Sequence, residues 1–379
     1  MDLLLRWMIA HQNEMIAWTE QLVRCESPSD QPEAVNRFVE LVADSVREVA
    51  EVRKFPGGRF GNHLQCEFDL PGRSKSGRVL ALGHSDTVYP VGTLERMPFR
   101  RARGRLWGPG VLDMKAGIAL FVFAMRALRE LRIPVRRRVV LQLNSDEEVG
   151  SESSRRLTEQ EARRSDAVLV LEPATGLEGK LKTARKGVGS YTISVEGRAA
   201  HAGVDFEKGA NAIVELARQL TRVARFTSLR RGVTVSPGVI SGGTRVNVVP
   251  EEARAEVDVR VVRLRDANLL NRKFAALKPV DPRCSIRVTG GLNRPPMERS
   301  PGVVSLFRTA RRLGRELGLE LEESTSGGGS DGNFTAALGV PTLDGLGAVG
   351  EGAHSASECV LIRCLAPRAA LLAKLVAAL

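Results

Sequence analysis

Three short apolar runs mark the first half of the chain, and each ends in side chains able to bind a metal. Arg78-Val-Leu-Ala-Leu-Gly83 leads into His84-Ser85-Asp86. Arg138-Val-Val-Leu-Gln-Leu143 leads into Asn144-Ser145-Asp146-Glu147-Glu148, and Asp166-Ala-Val-Leu-Val-Leu171 into Glu172-Pro173. Nearly continuous Val/Leu runs without alternation predict strands covered on both faces, as in a largely parallel sheet. The apolar segment Ile118 to Leu131 is long enough for a connecting helix. The polar residues therefore sit just past the carboxyl ends of three strands, where sites form in open α/β sheets.

The flanks read as packing elements. Leu4, Met8, Ile16 and Leu22 recur at helical spacing up to about Arg24. Ser29 and Asp30 followed by Glu33 predict a helix start, with Val35, Phe38, Val39 and Val42 on one face. After Lys186 the texture changes. Strands are predicted at Val188–Val195, Thr234–Ser241, Glu256–Val262 and Ser285–Thr289, and helices at Asn211–Phe226 and Ala267–Leu277. That β-α-β-β-α-β order predicts a ferredoxin-like insert. Pro295-Pro296 marks the return to the first domain, completed by a helix from Val303 to Leu317, the glycine-rich stretch Gly327–Gly332 and a strand at Pro341–Leu346. The expected fold class is α/β: a mostly parallel-sheet catalytic domain from residues 1–185 and 296–379, with an inserted α+β domain at 186–295.

Composition narrows the function. A length of 379 residues suggests about two domains, and 43 % hydrophobic residues suffice for packed cores. The net charge of +12 and pI near 10.0 raise the question of nucleic acid. The arginines are spread along the chain, however, and aromatics are only 4 %, too few for a base-stacking surface. Solvated arginine-rich faces that favour anionic substrates are the expectation, without a nucleic-acid partner. The five cysteines (Cys25, Cys66, Cys284, Cys359 and Cys364) are scattered and odd in number, against a disulfide framework or a thiolate metal site. No signal peptide and no apolar run of ~20 residues is present, so a cytoplasmic protein without a membrane partner is expected.

Without paired thiolates, a metal would be held by imidazole and carboxylate. Of five histidines, His84, His201 and His354 fall in strand-end or glycine-rich contexts, whereas His11 and His63 have no ligand neighbourhood. Asp86, two residues from His84, could accept its second ring N–H or be one of a strand-end polar pair without function. Asp113, flanked by glycines, could bridge two metals with its two oxygens or merely cap the following helix. Glu147 and Glu148 repel unless cations compensate. One can bind metal while the other takes a proton.

Six segments, in order, resemble the zinc-dependent M20 metallopeptidases, which include glutamate carboxypeptidase, succinyl-diaminopimelate desuccinylase, acetylornithine deacetylase and aminoacylase. They are Gly83-His-Ser-Asp-Thr-Val88, Gly108-Pro-Gly-Val-Leu-Asp-Met-Lys115, Asn144-Ser-Asp-Glu-Glu-Val-Gly-Ser151, Leu171-Glu-Pro173, Gly197-Arg-Ala-Ala-His-Ala-Gly203 and Gly347-Ala-Val-Gly-Glu-Gly-Ala-His354. The departures are small: Ala116 replaces a common glycine, and Gly332 a common alanine. The resemblance implies that His84, Asp113 and Glu172 hold one zinc, and Asp113, Glu148 and His354 the other, with cobalt or manganese as substitutes. It implies that Asp86 orients His84, that Glu147 is general base and acid, and that the Asp113–Met114 peptide is cis. By the same likeness, His201 of a homodimer partner reaches the substrate, and Asn247 and Arg260 bind its carboxylate. Arg260 could equally form an ion pair on its strand.

The implied activity is hydrolysis of an amide in a peptide or N-acyl amino acid with a free carboxylate, carboxypeptidase-like, with a C-terminal glutamate as one candidate. A narrow N-acyl-amino-acid deacylase is the alternative. A metal-dependent binding protein has no need of Glu147, and a two-metal phosphodiesterase lacks a visible phosphate loop.

Overall fold

The apolar runs form the centre of a six-stranded sheet. A computed structural model describes all 379 residues. The strand order is Ala50–Pro56, Asn62–Phe68, Arg138–Asn144, Arg78–His84, Ala167–Val170 and Thr342–Leu343. Asn62–Phe68 pairs antiparallel with both neighbours, and the remaining pairs are parallel. The chain divides into two compact units. The first comprises Met1–Ala184, Arg299–Ser326 and Ser330–Leu379, and the second Arg185–Glu298 with Gly327–Gly329.

In the first unit the predicted crossover helix spans Ala116–Glu130, with twelve residues buried from Ala116 to Leu128. A helix apolar on nearly every side must lie inside a layer of others. Helices Leu3–Ala10, Gln12–Arg24 and Ile362–Ala378 pack against it. Burial on both faces is what the unbroken Val/Leu strands required. In the parallel register His84 lies opposite Asn144, so the loops that follow both strands leave the same end of the sheet.

Three local expectations are corrected. The opening helix is two helices, broken at His11, whose φ/ψ of −98°/11° is not helical. The His11 ring stacks on Trp7 with Nδ1 2.8 Å from the Trp7 carbonyl, which stabilises the break. The helix expected to start at Ser29-Asp30 begins at Pro32, where proline is tolerated in the first turn. Ser29 is used elsewhere: its hydroxyl donates to Asp86. The strand expected at Pro341–Leu346 is only Thr342–Leu343.

The second unit has a four-stranded antiparallel sheet in the order Thr234–Gly242, Glu252–Val261, Gly187–Glu196 and Ser285–Arg294. Along Glu252–Val261, Ala253, Ala255, Val257, Val259 and Val261 are buried and alternate with polar residues, as one covered face requires. Helices Ala212–Ala224 and Leu264–Ala275 supply the cover, and Tyr191 stacks on Phe274 at 3.8 Å. Asn211 caps the first helix by accepting the Val214 N–H at 3.0 Å. Strand Thr234–Gly242 is paired along one edge only, with Val239 and Ile240 about 60 % exposed. No helix in the chain is long and apolar enough to cross a membrane.

Candidate metal centre

His84 is the last residue of its strand and is buried. Its Nε2 lies 3.1 Å from Asp113 Oδ1 and 3.6 Å from Glu172 Oε1. Its Nδ1 lies 2.9 Å from the Asp86 carbonyl and 3.5 Å from the Asp86 carboxylate. The nearer acceptor is thus main chain. The Asp86 carboxylate also accepts the backbone N–H groups of Glu147 (3.2 Å) and Glu148 (3.1 Å) and the Ser29 hydroxyl (2.7 Å). It ties the acidic pair to the segment bearing His84.

Asp113 stands in a turn that favours glycine. Gly110 has φ of +70°, and a Cβ there would meet Thr87 Cγ2 at 2.8 Å. The Asp113–Met114 peptide is cis. Asp113 has non-helical φ/ψ, and Lys115 occupies the N-cap position of the next helix, so capping is not its role. Its second oxygen, Oδ2, lies 3.4 Å from His354 Nε2, which is also 3.2 Å from Glu148 Oε1. His354 has φ of +60°, in the left-handed region that few non-glycine residues adopt.

Two ligand groups result: His84, Asp113 and Glu172, and Asp113, Glu148 and His354. In each, the donor atoms lie within 4.8 Å of one another. Imidazole nitrogen plus carboxylate oxygen is the donor set that suits zinc and its neighbours. The charge balance agrees. Burial alone would raise the Asp113 carboxyl, but hydrogen bonds to His354 and His84 hold it well below the ordinary range. Hydrogen bonds to Asp113 and Glu148 lift His354 to about 10. Against the cost of burial, Asp113 and Asp86 draw His84 well above its usual value. The Asp113 carboxyl, held ionised between two imidazoles that are drawn toward their charged form, marks a site that seeks positive charge. The residues present fit two divalent ions.

Beneath the acidic loop lies a buried polar network that sequence reasoning missed. Asp331 accepts from Asn144 at 2.6 Å and from the Ser151 hydroxyl, while Asn144 and Gln142 both donate to Thr158. His63 belongs to it, with Nδ1 2.9 Å from Ser145 Oγ and Nε2 3.2 Å from Ser153 Oγ. A histidine with no ligand signal thus fixes the turn that carries Glu147 and Glu148. Lys182 lies 3.9 Å from Glu172 and 4.0 Å from Asp344. Also missed is the buried Glu358, four residues after His354, which accepts N–H groups of the Asp113 turn. Its only sequence signal is an acid four residues from a candidate ligand.

His201, Asn247 and Arg260 lie in the second unit. Residues Ala200–His201 pair antiparallel with Val248–Val249, and the Asn247 carbonyl accepts the Ala202 N–H at 3.0 Å, so His201 and Asn247 occupy adjoining segments. His201 is exposed, with Nδ1 accepting the backbone N–H of Gly203 and Val204, each at 3.2 Å. Arg260 forms an ion pair with Asp258, two residues away on its own strand, at 3.0 Å.

Residues 80–378 match the model of a family described as Peptidase family M20/M25/M40. Carboxypeptidase G2 of a Pseudomonas species is 29 % identical over 373 residues, spanning 96 % of this chain and 89 % of its own. A succinyl-diaminopimelate desuccinylase of Cereibacter sphaeroides is 29 % identical over 379 aligned residues, spanning 93 % and 95 %. Among solved structures, aminopeptidase PepT of Bacillus cereus superposes with a TM-score of 0.82 at 23 % identity, covering 97 % of this chain and 98 % of its own.

Proposed function

The chain belongs to peptidase family M20/M25/M40 and is an amide-hydrolysing enzyme, and from that premise we propose a co-catalytic two-zinc carboxypeptidase. The observation that carries this reading is Asp113, whose two oxygens face different ligand groups. His84 and Glu172 complete one zinc position, and Glu148 and His354 the other. Zinc bound there supplies Lewis acidity, which acidifies water and polarises the scissile carbonyl. Glu147 accepts the proton of the attacking water and delivers it to the leaving amine. The Asp86 carboxylate, bonded to the N–H groups of Glu147 and Glu148, keeps base and ligand in register.

The proposed substrate is a peptide or N-acyl amino acid with a free carboxylate, a reading that likeness to carboxypeptidase G2 supports, with a C-terminal glutamate as one candidate. Likeness to a desuccinylase supports the second reading, a narrow N-acyl-amino-acid deacylase. In both readings the enzyme is a cytoplasmic homodimer paired through its second unit. Metal-free protein should take up two equivalents of Zn²⁺ or Co²⁺ per chain and, so loaded, hydrolyse members of a panel of peptides and N-acyl amino acids. Uptake of one equivalent, or no hydrolysis across the panel, would sink the proposal.

Arg260 and Asn247 are proposed to bind the substrate carboxylate. The Asp258 pair is exposed and can exchange for a substrate carboxylate at little cost. Arg260→Ala should lower kcat/KM by about 10- to 100-fold, the loss of one charge-assisted contact. That loss should be confined to substrates with a free α-carboxylate. Equal losses on carboxylate and amidated substrates would assign Arg260 to structure alone.

A further inference from the structure

Glu358 is fully buried, and its oxygens are committed to one stretch of backbone. Oε1 accepts the N–H groups of Leu112 at 2.7 Å and Asp113 at 3.0 Å, and Oε2 accepts that of Gly110 at 3.1 Å. The Tyr89 hydroxyl meets Oε2 as well and also lies 3.1 Å from the Ser355 carbonyl. A buried carboxylate is costly unless its lone pairs are satisfied, and here three main-chain donors of one turn satisfy them. That turn carries Asp113. Tyr89 follows His84 by five residues, and Ser355 follows His354 directly. The Glu358–Tyr89 pair therefore joins the three segments that bear His84, Asp113 and His354.

We propose that Glu358, with Tyr89, is a positioning residue that fixes the Gly110–Asp113 backbone so that Asp113 offers one oxygen to each ligand group. The inference rests on the two-metal reading above and extends it. Because Asp113 is common to both groups, loosening its turn weakens both metal positions together. Loss of Glu148 or His354 touches only one. A carboxylate is required rather than an amide. Four donors converge on it, and a glutamine would turn its own NH₂ toward one of them.

The test is a Co²⁺ titration of metal-free wild type, Glu358→Gln, Tyr89→Phe and Glu148→Ala, read by visible absorbance and by equivalents bound. Thermal unfolding of the metal-free chains is measured alongside. Wild type should bind two equivalents. Glu358→Gln should weaken both by about 10- to 100-fold, the usual effect of removing a group that orients a ligand. Tyr89→Phe should weaken both by less, since it removes one of four contacts, and Glu148→Ala should weaken one. Two Co²⁺ bound at wild-type affinity by Glu358→Gln and Tyr89→Phe would overturn the proposal, even with a lowered unfolding temperature, because Glu358 would then serve stability alone. A loss confined to one position would overturn it too. Should Glu358→Gln not fold, Tyr89→Phe decides by the same criterion. A wild type binding fewer than two equivalents would instead remove the two-metal reading, and this inference with it.

Discussion

A Glu147→Gln chain is expected to bind both metal equivalents and to turn over about 10²- to 10⁴-fold more slowly than wild type, the usual contribution of a positioned general base. The reason lies in how the two adjacent acids are used. Glu148 Oε1 lies 3.2 Å from His354 Nε2 and belongs to a ligand group, whereas Glu147 belongs to neither group. Both are held by backbone N–H donation to the two oxygens of Asp86, an anchor that glutamine at 147 leaves intact. The amide keeps the size of the side chain but cannot accept a proton from water. The loss should fall on kcat, with KM little changed, because ground-state binding is not removed. Glu148→Ala should behave in the opposite sense, losing metal first and activity as a consequence. Comparable kcat for Glu147→Gln and wild type on a true substrate would remove Glu147 from the mechanism.

The candidate ligand residues can be named from the sequence because six segments in order resemble one family, while the local signal beside each is weak alone. His84 ends one unbroken apolar strand and Glu172 follows another, and Asp113 sits near glycines whose positive φ other residues rarely adopt. The supporting groups lack such signals. Asp331 comes from a distant segment to meet Asn144, and Glu358 reads locally as an unremarkable loop acid. Their importance arises only when the fold brings buried N–H and hydroxyl donors against them. Ser29 shows the same limit in reverse. Locally it resembles a helix cap, yet its hydroxyl bonds Asp86 from 57 positions away. The geometry at Asp86 also changes the reading of the His84 pair. Two-residue spacing pointed to the carboxylate as the group that orients the ring; it does lie 3.5 Å from Nδ1, the Asp86 main-chain carbonyl lies nearer at 2.9 Å, and the same carboxylate also holds the acidic loop.

The second large effect is expected at His201, which we propose acts in the active site of a dimer partner. Its Nδ1 accepts two backbone N–H groups, so the neutral ring carries its proton on Nε2, and a hydrogen-bond donor is presented by an exposed side chain. The local contacts that a merely capping histidine would make are therefore the ones that prepare it to donate. Such a donor suits the oxyanion that develops at a scissile carbonyl, and its loss by His201→Ala should cost roughly 10²- to 10³-fold in kcat. The second unit offers the means of pairing. Strand Thr234–Gly242 has one free edge, with Val239 and Ile240 exposed beside it, and a twofold axis makes such a surface self-complementary. Complementation tests the arrangement. His201→Ala and Glu147→Gln chains are each inactive alone, but in a mixed dimer one site loses both groups while the other keeps both. After subunit exchange half the dimers are mixed, and each has one intact site, so activity should return to about one quarter of wild type. Exchange verified by tagged subunits, with no return of activity, would confine His201 to its own chain. A His201→Ala enzyme with unchanged kcat would remove it from the reaction altogether.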